Sequence, residues 1–201
     1  MPMAIEKDIL MATSFEPAST PRLRCELHNA ITHFAHSTFE CDMTDPHSIE
    51  LVHFGSKRWA NYFKVVLLGL QSVLPREVRR NAHGTIKVLV DGTVPPESSL
   101  SSSAAMTTCS SIVILTALKA LHVVPRKVIA DVACHSERLV GVHSGGMDQA
   151  VSVFGQRDKA LFVSFAPTLH VSPIELPLGH QYVFLVTNTM IKSDTVSYTH
   201  L

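Results

Sequence analysis

The sequence has no excess of charge of either sign. Lysine and arginine number 17, aspartate and glutamate number 17, and the formal net charge at pH 7 is zero. The chain contains no block of like charge, whereas proteins that bind nucleic acids cluster basic residues against the phosphate backbone. The charge balance therefore argues against a nucleic-acid partner, and it leaves a small molecule or another protein.

Signals for disulfides and for membranes are also lacking. The four cysteines lie far apart with no CxxC pair, and a chain of 46% hydrophobic residues can form a core without cross-links. The longest apolar runs, such as VVLLGL at 65–70, are far shorter than the roughly 20 residues that cross a bilayer, and the charged start MPMAIEKDILMA has no secretory apolar segment. We expect a soluble, cytoplasmic protein with reduced thiols and no membrane partner.

What the sequence does contain is an alternation of two periodicities, within a length of 201 residues that suits one domain. Apolar residues at every second position predict strands at 23–28, 32–40, 86–90, 160–165, 171–176 and 182–187. Apolar residues three and four apart predict helices at 57–74, 103–121, 125–140 and 147–154, with Pro75 closing the first helix and Pro125 at the first position of the third. This mixture predicts an α+β domain whose helices pack on a mostly antiparallel sheet.

A serine-rich stretch separates the predicted strand at 86–90 from the helix that follows it. Residues 94–105 read VPPESSLSSSAA, and the first turn of a helix offers unpaired N–H groups and the positive end of the helix dipole to an anion. One serine could instead serve only as a helix N-cap, worth about 1 kcal/mol. The stretch matches neither GxxxxGK[ST] nor GxSxG. Local pattern leaves the anion cradle and the simple cap both open.

Two acidic residues also stand out. Glu137 follows Ile129 and Ala133 at helical spacing, which places a carboxylate on or beside a buried stripe, where Arg138 or a histidine could pair with it. Asp148 follows paired glycines at 145–146 and could act as a general base. It could also do no more than favour the dipole of its helix.

Metal-ligating patterns are sparse among the 12 histidines. His33 and His36 are an isolated pair, and the sequence has no HxxxH helix and no His/Cys cluster. A zinc site is therefore not expected.

Several segments in a fixed order resemble the galactokinases of the GHMP kinase superfamily, and GVHSGGMDQA is closest in pattern to the fungal members. The segments are PPESSLSSSAA at 95–105, RWANYFK at 58–64, SERLVGVHSGGMDQAVSVFG at 136–155, DKALFVSF at 158–165 and TNTMIKS at 187–193. The resemblance implies the fold of ribosomal protein S5 domain 2, with residues 1–193 as a GHMP kinase N-terminal, ATP-binding domain that is incomplete at its start. Residues 194–201 lie outside the resemblance, and we expect no part of the family's C-terminal domain within residues 1–201.

The resemblance also implies an activity, the ATP-dependent phosphorylation of the C1 hydroxyl of galactose, with ATP and Mg²⁺ as cofactors. Asp148 matches the catalytic aspartate, Glu137 and Ser103 match magnesium ligands, and Gly145 and Asp148 match positions beside the sugar. The positions that match ATP contacts are Trp59, Tyr62, Pro96, Glu97, Ser98, Ser99, Leu100, Ser101, Ser102 and Ser103.

The sequence departs from the family pattern in three places. An upstream segment of the type GRVNLIGEHxDY is missing, as is the C-terminal glycine-rich motif, and Glu97, Ser98 and Ser99 stand where the phosphate loop carries glycines. We therefore expect a galactokinase chain truncated at both ends, whose own turnover must be measured. The alternative is a sensor that binds galactose and ATP and contacts a transcriptional repressor. The intact Ser103-Ala104 pair favours the enzyme, and another GHMP kinase is disfavoured by RWANYFK and GGMDQ.

Overall fold

Residues 2–176, together with 185 and 187, are described by a computed structural model of the chain. The strands are β1 (Ile9–Pro17), β2 (Leu23–Asn29), β3 (Ser37–Cys41), β4 (Gly84–Gly92), β5 (Lys159–Ser164) and β6 (His170–Glu175). The helices are α1 (Asn61–Val73), α2 (Arg76–Arg80), α3 (Ser102–Ala117), α4 (Arg126–Arg138) and α5 (Met147–Phe154), and two short 3-10 turns lie at Pro46–Ser48 and Arg58–Ala60.

The main sheet has four strands in the order β1-β4-β2-β3. The outer pairs, β1 with β4 and β2 with β3, are antiparallel, while the central pair of β2 and β4 is parallel. A second sheet is the antiparallel pair of β5 and β6. The expectation of an α+β domain with a mostly antiparallel sheet is confirmed.

One face of the main sheet is buried because apolar residues alternate along its central strands. In β2 the buried positions are Leu23, Cys25 and Leu27, and in β4 they are Ile86, Val88 and Val90. Helix α3 packs on β1, and α1, α4 and α5 pack on α3, so that sheet and helices share one hydrophobic core. The opposite face of the sheet carries charged side chains such as those of Arg24 and Lys87.

The predicted elements correspond to the observed ones, with ends that differ by up to four residues, except at four points. The segment at 32–40 forms a strand only from residue 37, because 30–34 make a turn, and both β1 and the five-residue α2 had not been predicted. Pro125 is the N-cap of α4 rather than its first helical residue. The strand predicted at 182–187 lies outside the described residues.

The structure also bears on the expectations about membrane-spanning helices and disulfides. In the part of the chain that the structure describes, no helix combines the length and apolarity needed to cross a bilayer. All four cysteines are free thiols, as expected for a fold that the core alone holds together.

Candidate functional site

The loop between β4 and α3 has an unusual backbone. Glu97, Ser99 and Ser101 have φ angles of 56°, 58° and 57°, in the left-handed region that normally favours glycine. Ser98 lies between two of them without a positive φ, and its hydroxyl donates to the Pro95 carbonyl at 2.7 Å. Alternation of left-handed and other residues is typical of backbone nests, in which successive N–H groups form a concave anion site.

Helix α3 begins directly after this loop, and the side chain of its N-cap residue does not cap it. Ser101 occupies the N-cap position, but its side chain makes no capping hydrogen bond. The interpretation of this stretch as a simple serine cap is therefore wrong. The first-turn N–H groups keep their positive partial charge for another acceptor, which is the arrangement that phosphate groups bind.

A cleft of about 650 Å³ lies against this loop and the start of α3, a volume within the range of small-molecule sites. The cleft brings together all the residues predicted to contact ATP except Leu100, which is half-buried outside its lining. The lining residues from that set are Trp59, Tyr62, Pro96, Glu97, Ser98, Ser99, Ser101, Ser102 and Ser103.

One wall of the cleft is aromatic and held by backbone contacts. The indole of Trp59 is mostly buried, its Nε1 donates to the Ala35 carbonyl at 2.9 Å, and its ring lies 6.2 Å from that of Phe34. Asn61 follows in the same turn, where its amide makes two hydrogen bonds with the backbone of Val52, at 2.9 and 2.7 Å. These contacts fix the flat surface on which a nucleotide base could stack.

The Glu137 carboxylate lies inside the domain at the end of α4, where it is fully buried. Its Oε2 accepts hydrogen bonds from Gln149 Nε2 and from Ser144 Oγ, while its Oε1 has no hydrogen-bond partner. Burial raises the pKa of Glu137, and the hydroxyls of Ser103 and Ser144 oppose that rise. Glu137 has no ion pair within the described residues, so the alternative of pairing with Arg138 or a histidine is wrong there.

Asp148 lies in the first turn of α5 and is half-buried. The turn before it needs glycine at 146, because φ is +85° and a Cβ would lie 3.1 Å from the Phe165 ring and 3.2 Å from Cys134 Sγ. Gly145 is exposed, and no described atom lies within 4 Å of where its Cβ would be. Neither Gly145 nor Asp148 lines the cleft, but the charge of Asp148 also raises the pKa of Glu137, so the two carboxylates are close enough to repel each other.

Ser103 links the cleft to the buried carboxylate of Glu137. It lines the cleft at the start of α3, and its hydroxyl also interacts with the Glu137 carboxylate. The buried free oxygen of Glu137, this hydroxyl and a second carboxylate nearby fit a hard divalent cation, which usually takes one or two carboxylates, waters and substrate phosphates. No group of three or more His, Cys, Asp or Glu side chains among the described residues could hold a metal on its own.

The structure adds residues that sequence reasoning missed. Asn29, His33 and Arg58 line the cleft, although only Arg58 stood inside a quoted motif. Ser144 and Gln149, the partners of Glu137, belong to the segment GVHSGGMDQA but gave no periodic signal of their own. Hydrogen-bonding residue types on both sides of a glycine turn were the signal available for them.

The chain is similar to known kinases over most of its length. The model of the GHMP kinases N terminal domain matches residues 61–156. The galactokinase of Schizosaccharomyces pombe is 30% identical over 96% of this chain and 38% of its own length. Those of Candida albicans and Saccharomyces cerevisiae are 32% and 30% identical, each over 96% of this chain. The chain thus spans 36–38% of the length of these curated relatives.

Solved structures agree in fold. The galactokinase of Lactococcus lactis, determined in complex with galactose, superposes with a TM-score of 0.66 at 22% identity, over 87% of this chain and 41% of that one. A putative sugar kinase of Campylobacter jejuni gives a TM-score of 0.55 at 16% identity, over 84% of this chain and 46% of that one. At these identities the likeness concerns the fold alone.

Proposed function

We propose that this chain takes part in the ATP-dependent phosphorylation of the C1 hydroxyl of galactose, because residues 61–156 match the GHMP kinases N terminal domain and three fungal galactokinases are 30–32% identical over 96% of the chain. The domain that binds ATP in this proposal extends over residues 1–193. ATP is the phosphoryl donor and magnesium is the accompanying cation.

The observation that carries this proposal is the meeting of an uncapped helix N-terminus with two carboxylates. The nest-like loop and the first turn of α3 offer N–H groups to phosphate oxygens, and Ser103 reaches from that turn to Glu137. Asp148 lies near the same carboxylate. Phosphoryl transfer depends mainly on positioning and on neutralisation of charge, and these groups supply both within one small region.

Each residue has a defined part in the proposed reaction. Trp59 and Tyr62 bind the base, and the N–H groups around Ser101 and Ser102 bind the phosphates. The sugar C1 oxygen attacks the γ-phosphorus, its proton passes to a carboxylate oxygen of Asp148, and the bond from the γ-phosphorus to the β,γ-bridging oxygen breaks to leave ADP. Ser103 and Glu137 would hold magnesium, which supplies positive charge against the phosphate oxygens when bound.

A turnover assay tests this proposal. The purified chain is incubated with galactose and ATP labelled at the γ-phosphate, in magnesium, and labelled galactose 1-phosphate is measured. We expect product formation that falls by about 10²–10⁴-fold in Asp148→Asn, as for loss of a general base. Thr116→Ala is a suitable control, because the exposed Thr116 hydroxyl bonds only the Ile112 carbonyl in its own helix. Turnover that survives unchanged in Asp148→Asn would contradict the assigned role.

The same assay separates the enzyme from a sensor. A sensor would bind galactose and ATP in calorimetry and form no labelled product. It would also capture a repressor protein only in the presence of both ligands. That combination of results would replace the kinase proposal.

A further inference from the structure

Two side chains hold the Glu137 carboxylate from one side. Gln149 Nε2 donates to Glu137 Oε2 at 2.5 Å, and Ser144 Oγ donates to the same oxygen at 3.1 Å. Gln149 Nε2 also donates to Ser144 Oγ at 3.0 Å, which closes a triangle of three groups. Glu137 and Gln149 are both completely buried. The residues lie seven and twelve positions apart in sequence, so the turn between α4 and α5 brings them together.

The hydrogens of this triangle are fully used. Both N–H bonds of the Gln149 amide and the single O–H of Ser144 have acceptors within the triangle. The opposite amide orientation would set Gln149 Oε1 against a carboxylate oxygen, two acceptors facing each other, so the chemistry fixes the orientation. Glu137 Oε1 is then the carboxylate oxygen that remains buried without a hydrogen bond.

An unpaired buried carboxylate oxygen is costly unless a donor or a cation meets it. Ser103 faces the same carboxylate from the first turn of α3, beside the loop that lines the cleft. The Glu137 carboxylate thus interacts with Ser144 and Gln149 on one side and with Ser103, which also lines the cleft.

We propose that Gln149 and Ser144 are positioning residues, which bind one oxygen of Glu137 so that its other oxygen is presented to a divalent cation on the nucleotide phosphates. The inference rests on the proposed kinase function and goes beyond it. Both residues act through Glu137 and not on the reacting atoms. Partners that orient a metal ligand in this way contribute about 10–100-fold to metal affinity.

Gln71 is a matched control for Gln149. It is also a buried glutamine whose Oε1 has no hydrogen-bond partner. Its amide nitrogen donates only to backbone carbonyls, those of Asp42 at 3.1 Å and Asp45 at 3.5 Å, and it does not line the cleft. A substitution by leucine removes the same amide at either position, so a purely structural effect would be common to both variants.

The test measures the dissociation constant of ATP by calorimetry, once with magnesium and once with a chelator. The ratio of the constant with the chelator to the constant with magnesium reports how much the metal strengthens binding. We expect Gln149→Leu and Ser144→Ala to reduce this ratio by about 10–100-fold and to leave the metal-free affinity unchanged. Ser144→Thr retains a hydroxyl and should retain the ratio, as should Gln71→Leu. Wild-type ratios in both Gln149→Leu and Ser144→Ala, or an equal loss in Gln71→Leu, would overturn the inference.

Two further measurements keep the inference separate from the proposed function and from misfolding. If Gln149→Leu does not fold by circular dichroism, the Ser144→Ala and Ser144→Thr pair decides, because Ser144 lies in a partly exposed turn. Mn²⁺ alone, followed by electron paramagnetic resonance, should bind more weakly in Ser144→Ala and in Glu137→Gln. If the wild-type chain does not phosphorylate galactose but the variants still lose the magnesium-dependent gain in ATP affinity, only the kinase function is refuted. Absence of any Glu137-dependent binding of ATP or Mn²⁺ would overturn the positioning role.

Discussion

Glycine at position 99 should stabilise the loop between β4 and α3, because the backbone of Ser99 is left-handed. Ser99 is exposed and has a φ of 58°. A non-glycine residue in the left-handed region costs roughly 1–2 kcal/mol, while glycine loses about 0.5–1 kcal/mol through its greater freedom in the unfolded chain. We expect Ser99→Gly to be more stable than Ser99→Ala by about 0.5–1 kcal/mol. Because both variants lack the hydroxyl, their difference reports the backbone alone.

Ser98 provides the matched control in the adjacent position. Its φ is not positive, and its hydroxyl bond to the Pro95 carbonyl at 2.7 Å is lost equally in Ser98→Ala and Ser98→Gly. The glycine variant should therefore be the less stable of the two, by about 0.5–1 kcal/mol. The sign of the alanine-to-glycine effect is expected to reverse between neighbouring residues.

Urea unfolding followed by circular dichroism measures all four free energies of unfolding. In a chain of this size a change of 1 kcal/mol moves the melting temperature by about 2–4 °C, so thermal melts give an independent check. Glycine less stable than alanine at both positions would refute the left-handed assignment of Ser99. It would also remove the nest-like loop as an explanation of phosphate binding.

The remaining predictions concern charge and reactivity around the site. Asp148→Asn should abolish most turnover and change the free energy of unfolding by no more than about 0.5 kcal/mol, the range of a surface substitution, as measured by urea denaturation. Glu97→Gln should tighten ATP binding by roughly 0.5–1 kcal/mol, less at high salt, because Glu97 is an exposed negative charge in the cleft lining; calorimetry at two salt concentrations checks this. Burial raises the pKa of Glu137 above its ordinary value of 4.5, so the folded state binds that proton more tightly than the unfolded state. The resulting stability is complete below about pH 4.5 and is lost as the pH rises through the folded pKa, a loss that Glu137→Gln should not show in urea titrations. Burial raises the pKa of Cys109 to about 11, so Cys109 should react with a disulfide reagent at pH 8 only slowly, with about one thiolate in a thousand.

Local sequence was sufficient for elements whose signals are local. Helix α5 has the predicted bounds, because Gly146 precedes it in a left-handed conformation and Gly155 ends it. Strand β1 was missed because its assignment depends on pairing with the distant strand β4, from Ile9 with Gly92 to Pro17 with Gly84. Helix α2 has the sequence REVRR, with no buried residue and therefore no apolar periodicity to detect.

The candidate site also has features that the sequence could identify and features that it could not. The serines around Ser102 and the two acidic residues could be selected from residue type and order, together with the family resemblance. The left-handed φ angles of the loop could not be predicted, because glutamate and serine do not favour that backbone conformation. The triangle around Glu137 also could not be derived, because a buried carboxylate has many conceivable partners and only the folded turn at 141–146 brings Gln149 to it.

The parallel pairing of β2 with β4 decides where this domain can vary. Asn29 and Val90 are paired at the same end of these strands, and both line the cleft. A hairpin would have closed this edge with one short turn, but two parallel strands must each leave the sheet there by a separate connection. The segments after β2 and after β4 consequently face each other across the cleft. Insertions or substitutions in either segment can alter which ligands the cleft accepts while the pairing of β2 with β4 stays in register, which makes this edge the place to engineer a new ligand preference.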